Sequence, residues 1–358
     1  MRITFILPGP NPKPIGGYRV VYDYADRLAE RGHQVTILFS LLDPFLRPRP
    51  PLWFRNLKCQ LSKDFSPPWY RFKNQVTLQV IPEINDQTVP DGEGVFATWW
   101  ASAYSVSKLK KEKGCKFYLI QHYEKWAGDI ELLHQTYKLG LNNIVIAGWL
   151  KEKLESVGAE VTAHIPNGIN LEQFKPMIPI EERNPYSITM MYHLADWKGS
   201  SQGIAAIEMV KKQYPQLEAT LFSVYPRPRS LPDWIRFIQN PTQEKLVTNY
   251  SQHAIFLSPS WAEGWPLPPA EALACGCALV STDIGGVKDY ALAEKTALLS
   301  PPKDPTALAA NIMRLLEDHA LLRTIAQTGL QQITNFSWER AVSKMEKTII
   351  TSRGEEDS

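Results

Sequence analysis

The stretch Arg2–Phe39, RITFILPGPNPKPIGGYRVVYDYADRLAERGHQVTILF, decides the fold class. Arg2–Leu7 is a short apolar run of strand length and reads as a buried strand. Pro8 to Gly17 is rich in Pro and Gly and reads as a loop. Tyr18–Arg31 then sets Val20, Val21, Tyr24 and Leu28 at helical spacing, and Gly32 suits the C-cap. Gln34–Phe39 is a second strand. Strand, glycine loop, helix, strand is a βαβ unit, whose crossover makes its two strands parallel, so an α/β doubly wound sheet is expected.

Outward from this unit, Val76–Ile81, Gly94–Thr98, Lys116–Gln121 and Asn143–Ala147 read as further strands, and Val161–Ile165 ends the half. Pro166–Pro185 is Pro-rich and short of periodic order, which suits an inter-domain connection. The pattern then restarts. Ser187–Tyr192, Glu218–Val224, the short Phe237–Ile238, Ile255–Ser258 and Ala278–Thr282 read as strands. Gly203–Gln213, Glu244–Ser251, Pro268–Cys275, Thr306–Glu317 and Leu321–Thr334 read as helices. The expected domains are 1–165 and 166–337, followed by a helix in 338–358 that crosses back to the first. Two doubly wound halves imply a cleft, with ligands at the carboxyl ends of the strands.

Composition agrees and excludes other classes. The 358 residues are 44% hydrophobic and 21% charged, which suits two globular domains rather than disorder. A net charge of +2 argues against a nucleic-acid binder. No apolar run reaches the roughly 18 to 20 residues that span a bilayer, and MRITFILPGP reads as a strand rather than a leader. Cys59, Cys115, Cys275 and Cys277 are too scattered for a disulfide scaffold, so a reduced cytoplasmic protein is expected.

The charge is uneven. Residues 1–165 hold 21 Lys/Arg against 16 Asp/Glu, and residues 166–358 hold 18 against 21. Residues 43–75 carry seven basic side chains against Asp43 and Asp64, interleaved with Phe45, Trp53, Phe54, Phe65, Trp69, Tyr70 and Phe72. Such a mixture suits peripheral contact with an anionic membrane, at the inner membrane face of a cytoplasmic protein. The same residues also suit a packed loop whose cations face water.

The stretch richest in chemistry is Glu263-Gly264-Trp265-Pro266-Leu267-Pro268-Pro269-Ala270-Glu271. Two carboxylates eight positions apart straddle a Gly/Pro turn that opens a helix, and a helix start favours an anion such as a diphosphate. Glu271 suits the paired hydroxyls of a ribose, and Glu263 those of a sugar. Alternatively, this is an ordinary βα turn, with Glu271 a first-turn partner of the helix dipole.

With Ala272–Val280 and Ile284-Gly285-Gly286 behind it, this E-x7-E turn resembles the retaining GT-B glycosyltransferases of family four, the group 1 type. Gly16-Gly17 resembles that family's glycine loop, Ile165-Pro166-Asn167-Gly168-Ile169-Asn170 its domain entry, and Lys198-Gly199 its diphosphate-binding lysine. The resemblance implies a GT-B fold of two Rossmann-like domains. It makes Lys198, Glu263 and His122 the catalytic candidates. Gly16, Gly17, His193, Gly264, Trp265, Pro266, Leu267 and Glu271 become donor-binding candidates, and Tyr123 and Glu124 acceptor candidates. His193 stands where the family usually has Arg and offers less fixed charge; Arg227 and Arg229 are the cations that could compensate.

No D-x-D pair ends a strand, so no bound metal is expected, and no resident cofactor. The function implied is transfer of a sugar from a nucleotide sugar to a glycan or lipid-linked acceptor. A non-catalytic sugar-nucleotide or glycan-binding module is the alternative.

Overall fold

The computed structural model describes residues 1–42, 45, 50–62, 65–125 and 128–356. They divide into two compact units, Met1–Asn167 with Glu339–Ser358, and Gly168–Trp338. Each is built on one parallel sheet with helices, so the expected α/β class and its two doubly wound sheets are present.

In the first unit the strand order is β3-β2-β1-β4-β5-β6-β7. The strands are β1 (Arg2–Pro8), β2 (Gln34–Ser40), β3 (Val76–Ile81), β4 (Gly94–Ala97), β5 (Cys115–Ile120), β6 (Asn142–Val145) and β7 (Ala163–His164). Phe5, Ile37, Phe96 and Phe117 are fully buried, as expected when both faces of a sheet are covered. The helices are α1 (Gly16–Glu30), α2 (Leu52–Leu61), α3 (Trp100–Val106), α4 (Ile130–Thr136), α5 (Gly148–Ser156) and the last one, α11 (Trp338–Glu356).

Two expectations change here. Gly16 and Gly17 are not loop residues but the first turn of α1, after Ile15 in extended conformation. The 43–75 stretch is not one uniform surface. Trp69, Tyr70 and Phe72 pack around Tyr22 of α1 at ring separations of 5.2–5.4 Å, and Phe65 packs on Phe39 at 5.1 Å. Asp26 clamps the segment by accepting the Lys73 and Asn74 amides at 2.9 and 2.8 Å. These aromatics are half-buried and pack against the first unit's core. Leu52–Leu61 instead forms α2, an unforeseen helix. Of the basic residues in the stretch, Arg47, Arg49 and Lys63 lie outside the described residues.

The second unit has the order β10-β9-β8-β11-β12-β13. Its strands are β8 (Ser187–Met191), β9 (Glu218–Ser223), β10 (Arg236–Gln239), β11 (Ile255–Ser258), β12 (Ala278–Thr282) and β13 (Ala297–Ser300), the last of which sequence reading did not separate. Around them run α6 (Ser200–Gln213), α7 (Gln243–Gln252), α8 (Leu267–Ala274), α9 (Pro305–Glu317) and α10 (His319–Ile333). Pro166–Pro185 is no loose connection beyond Asn167. The Ile169 amide donates to the Phe336 carbonyl at 2.7 Å, Phe174 is buried, and the Arg183 guanidinium donates to the carbonyls of Ile178, His253 and Cys275.

Candidate functional site

In the second unit the strand order reverses between β8 and β11. In open α/β sheets, that switch point places a crevice at the carboxyl ends of the two strands. A pocket lies there, lined by Met191, Lys198, Ser258–Ser260, Glu263, Pro266 and Pro268 among others.

After β8 the chain makes a tight turn at Asp196–Lys198 and enters α6 through Gly199, whose φ of +64° is left-handed. A Cβ at 199 would also collide with the Pro259 carbonyl oxygen, so only glycine lets this turn seat against the β11 loop. The Trp261 amide donates to the Trp197 carbonyl at 2.6 Å and ties the two loops together. Lys198 Nζ thereby meets both oxygens of Glu263, at 2.8 and 3.0 Å. The two candidates foreseen as separate actors form one ion pair, with side chains 21% and 11% exposed. Gly286 holds the acid's loop from behind; a Cβ there would stand 2.7 Å from the Glu263 carbonyl oxygen.

His193 lies beside this pair. Its Nδ1 accepts the Ala195 amide at 2.9 Å, which leaves the proton of the neutral ring on Nε2. Its own amide donates to Ser200 Oγ, and its ring meets Tyr225 edge-on at 5.0 Å. Burial, with Lys198 adding to it and Glu263 opposing, holds its pKa below the ordinary imidazole value. His193 thus offers one N–H donor in place of a fixed cation. Arg227 does not compensate, because its guanidinium donates to the carbonyls of Leu231, Pro232 and Ile235. Arg229 is exposed on the same loop.

The E-x7-E turn is more buried than its residue types suggest. Trp265 packs on Tyr290 and Phe336 at 4.9 and 5.8 Å, so its indole is core. Gly264 is buried. The Pro266 carbonyl accepts the Tyr290 hydroxyl at 2.9 Å and is already used. Leu267, Pro268 and Pro269 open α8, and two of these three carry no amide hydrogen. The helix keeps its dipole, but its two prolines leave an anion fewer donors than an ordinary helix start offers. Glu271 is 3% exposed, with the Tyr250 hydroxyl 3.4 Å from its Oε2. The first turn of α6 supplies what α8 lacks. Ser200, Ser201 and Gln202 bring orphan helix-start amides directly after Lys198. The cue for these amides in the sequence is Ser200-Ser201 directly after Lys198-Gly199, at the start of α6.

In the first unit Gln121-His122-Tyr123-Glu124 follows β5. His122 Nδ1 lies 3.1 Å from the Tyr123 carbonyl, and its ring faces Trp149 edge-on. Tyr123 shares a hydrogen bond with His134 Nε2 at 2.8 Å, and Lys153 sits over its ring. Glu124 turns inward. Its Oε2 accepts the Trp100 amide at 2.7 Å and lies 3.4 Å from the Tyr118 hydroxyl. Burial pushes its pKa up to about 7 against the pull of those two donors. The foreseen acceptor contacts at Tyr123 and Glu124 are therefore engaged within the unit. Gly17 is close to Gln121, whose amide would lie 3.5 Å from a Cβ at 17. Trp126 lies outside the described residues.

Comparison with known proteins adds three findings. Residues 226–332 match the family model described as glycosyl transferases group 1. The chain is 33% identical over 111 residues to a D-inositol 3-phosphate glycosyltransferase of Salinispora arenicola, and 30% identical over 111 residues to O-antigen chain mannosyltransferase B of Escherichia coli. Each alignment covers 31% of this chain, and 25% and 29% of those proteins, so the matched segment spans little more than a quarter of either. Among solved structures, Anabaena HepE in complex with UDP superposes with a TM-score of 0.73 at 15% identity, over 98% of this chain and 100% of that one. Sucrose-phosphate synthase from Thermosynechococcus elongatus does so with a TM-score of 0.70 at 19% identity, over 97% of both.

Proposed function

We propose that this chain, which has the GT-B fold and matches the group 1 glycosyltransferases over residues 226–332, is a retaining glycosyltransferase. It moves a sugar from a nucleotide-diphosphate sugar to a hydroxyl of a glycan or lipid-linked acceptor. The second unit holds the donor and the first holds the acceptor. The observation that carries this reading is the Lys198–Glu263 pair at the switch point of the second sheet.

The pair holds its cation and its carboxylate at hydrogen-bond distance, 2.8 and 3.0 Å, so the fold positions both. When the diphosphate enters, the Lys198 ammonium exchanges Glu263 for a phosphate oxygen. The freed carboxylate then accepts hydroxyls of the sugar. The α6 amides at Ser200–Gln202 and His193 Nε2–H add donors to the same anion. The acceptor oxygen attacks on the face the diphosphate leaves, its proton passes to the departing phosphate, and the anomeric configuration is kept. Lys198 and these donors stabilise the charge growing on the leaving group, and no divalent metal is required.

The UDP held by HepE makes UDP-sugars the first donors to test. Lys198→Ala lowers turnover by about 10²–10³-fold, the scale of losing one charge-stabilising contact. Turnover that survives excess EDTA supports the metal-free step. Wild-type turnover in the Lys198 variant overturns the assignment. Calorimetric binding of every donor without turnover replaces the enzyme by a binding module.

A further inference from the structure

We propose that α2 is an interfacial anchor that lays its outer face on an anionic bilayer surface. The inference does not depend on glycosyl transfer.

The helix is inside out. Of its ten residues, LWFRNLKCQL, the one that is buried is a charged one, Arg55, at 8% exposure. Its Nε donates to the Pro50 carbonyl at 3.2 Å, and its Nη1 to the Pro82 carbonyl and Glu83 Oε2 at 2.9 and 2.8 Å. Arg55 thus pins the helix at the end of β3. At 3.6 residues per turn, Cys59 falls on the face of Arg55, and Trp53, Phe54, Leu57 and Leu61 fall together on the opposite one. These four are 69%, 46%, 46% and 80% exposed. A helix on a soluble protein normally turns such a stripe inward; this one fixes its single arginine inward and its apolar stripe out.

Charge decides the occupant. Lys58 flanks the stripe, and the sequence brings Arg47 and Arg49 before the helix and Lys63 after it, against Asp43 and Asp64. Lys58 beside an exposed Trp/Phe/Leu stripe, in a stretch of sequence with a basic excess, matches a surface that is anionic outside and apolar just beneath. A helix of ten residues, about 15 Å long, lies in such an interface and cannot cross it. Among the described residues no helix is long and apolar enough to span a membrane. Of the other aromatics that made residues 43–75 look membrane-active, Phe65, Trp69, Tyr70 and Phe72 are half-buried against Phe39 and Tyr22, and Phe45 packs on Trp100 at 4.5 Å, so the contact narrows to α2.

Flotation of the full chain with vesicles tests this. Wild type floats with phosphatidylcholine vesicles containing about 30% phosphatidylglycerol, and stays with the buffer when the vesicles are phosphatidylcholine alone. Leu57→Asp combined with Leu61→Asp cuts the bound fraction by at least about tenfold at an unchanged melting temperature, because both side chains are already in water. Equal flotation of wild type and the double variant overturns the proposal. A wild type that ignores both vesicles yet sediments as a dimer the double variant lacks also overturns it, and gives the face to a second copy of the chain.

Discussion

Glu124 shows how far surroundings can move one residue from its type. The sequence makes it an acceptor candidate, but its carboxyl is held against the Trp100 amide and the Tyr118 hydroxyl, with a pKa pushed up to about 7 by burial. A carboxyl raised by folding binds its proton more tightly in the native state. That contribution is full below the unfolded value near 4.5 and is lost as pH rises through 7. Glu124→Gln keeps an oxygen for the two donors and removes the titration. Between pH 4.5 and 7.5, wild type should therefore lose on the order of 1–3 kcal/mol relative to the variant, allowing for the solvent this half-buried residue still meets. Parallel unfolding slopes for the two proteins across that range would remove the buried-acid account. Lys198 and Glu263 give the complementary case. Their types were legible and their pairing was not, because it needs the β8 and β11 loops side by side.

At the scale of elements, two turns carry the second unit's site and its frame. Gly199 combines a left-handed φ with a backbone approach that leaves no room for Cβ. Gly199→Ala should cost at least about 1–3 kcal/mol from conformation alone, more with the collision, and should also disturb Lys198. Denaturant unfolding with unchanged stability would refute this. Asp318 ends α9 and caps α10, its carboxylate accepting the Ala320 and Leu321 amides at 3.0 and 2.9 Å. Asp318→Ala should lower stability by about 1 kcal/mol, read as a shift of the denaturation midpoint. Most strands and helices were visible as apolar runs and periodic stripes. Helix α2 was not, although Trp53, Phe54, Leu57 and Leu61 share one helical face, because its stripe lies within the longer basic and aromatic stretch 43–75 and only the tertiary structure shows that this face is turned outward.

At the scale of the molecule, the chain leaves the first unit at Asn167 and re-enters it at Glu339. The returning α11 buries Val342, Met345 and Ile349. Glu346 bonds Arg31 and His33, each at 2.7 Å, and Lys344 donates to the His164 carbonyl at 2.7 Å. The terminal helix is thus part of the first unit's core. Met345→Ala should destabilise by about 2–5 kcal/mol through lost burial and a cavity. A melting temperature equal to wild type would show that the helix is dispensable.

The order of apolar runs along the chain was enough to settle the α/β class and the two parallel sheets, since the period of a strand or helix is written locally in the residues. The E-x7-E turn, the Lys-Gly turn and the paired glycines were likewise readable as types at fixed spacing. Tertiary structure decided which of these groups meet and which are consumed. It joined Lys198 to Glu263, buried Glu271, turned Glu124 inward onto Trp100 and Tyr118, spent the Pro266 carbonyl on Tyr290, packed the 65–72 aromatics onto Tyr22 and Phe39, and left α2 with its apolar side in water. Each of these outcomes depends on partners tens of residues away, and burial and charge pairing act through space rather than along the chain.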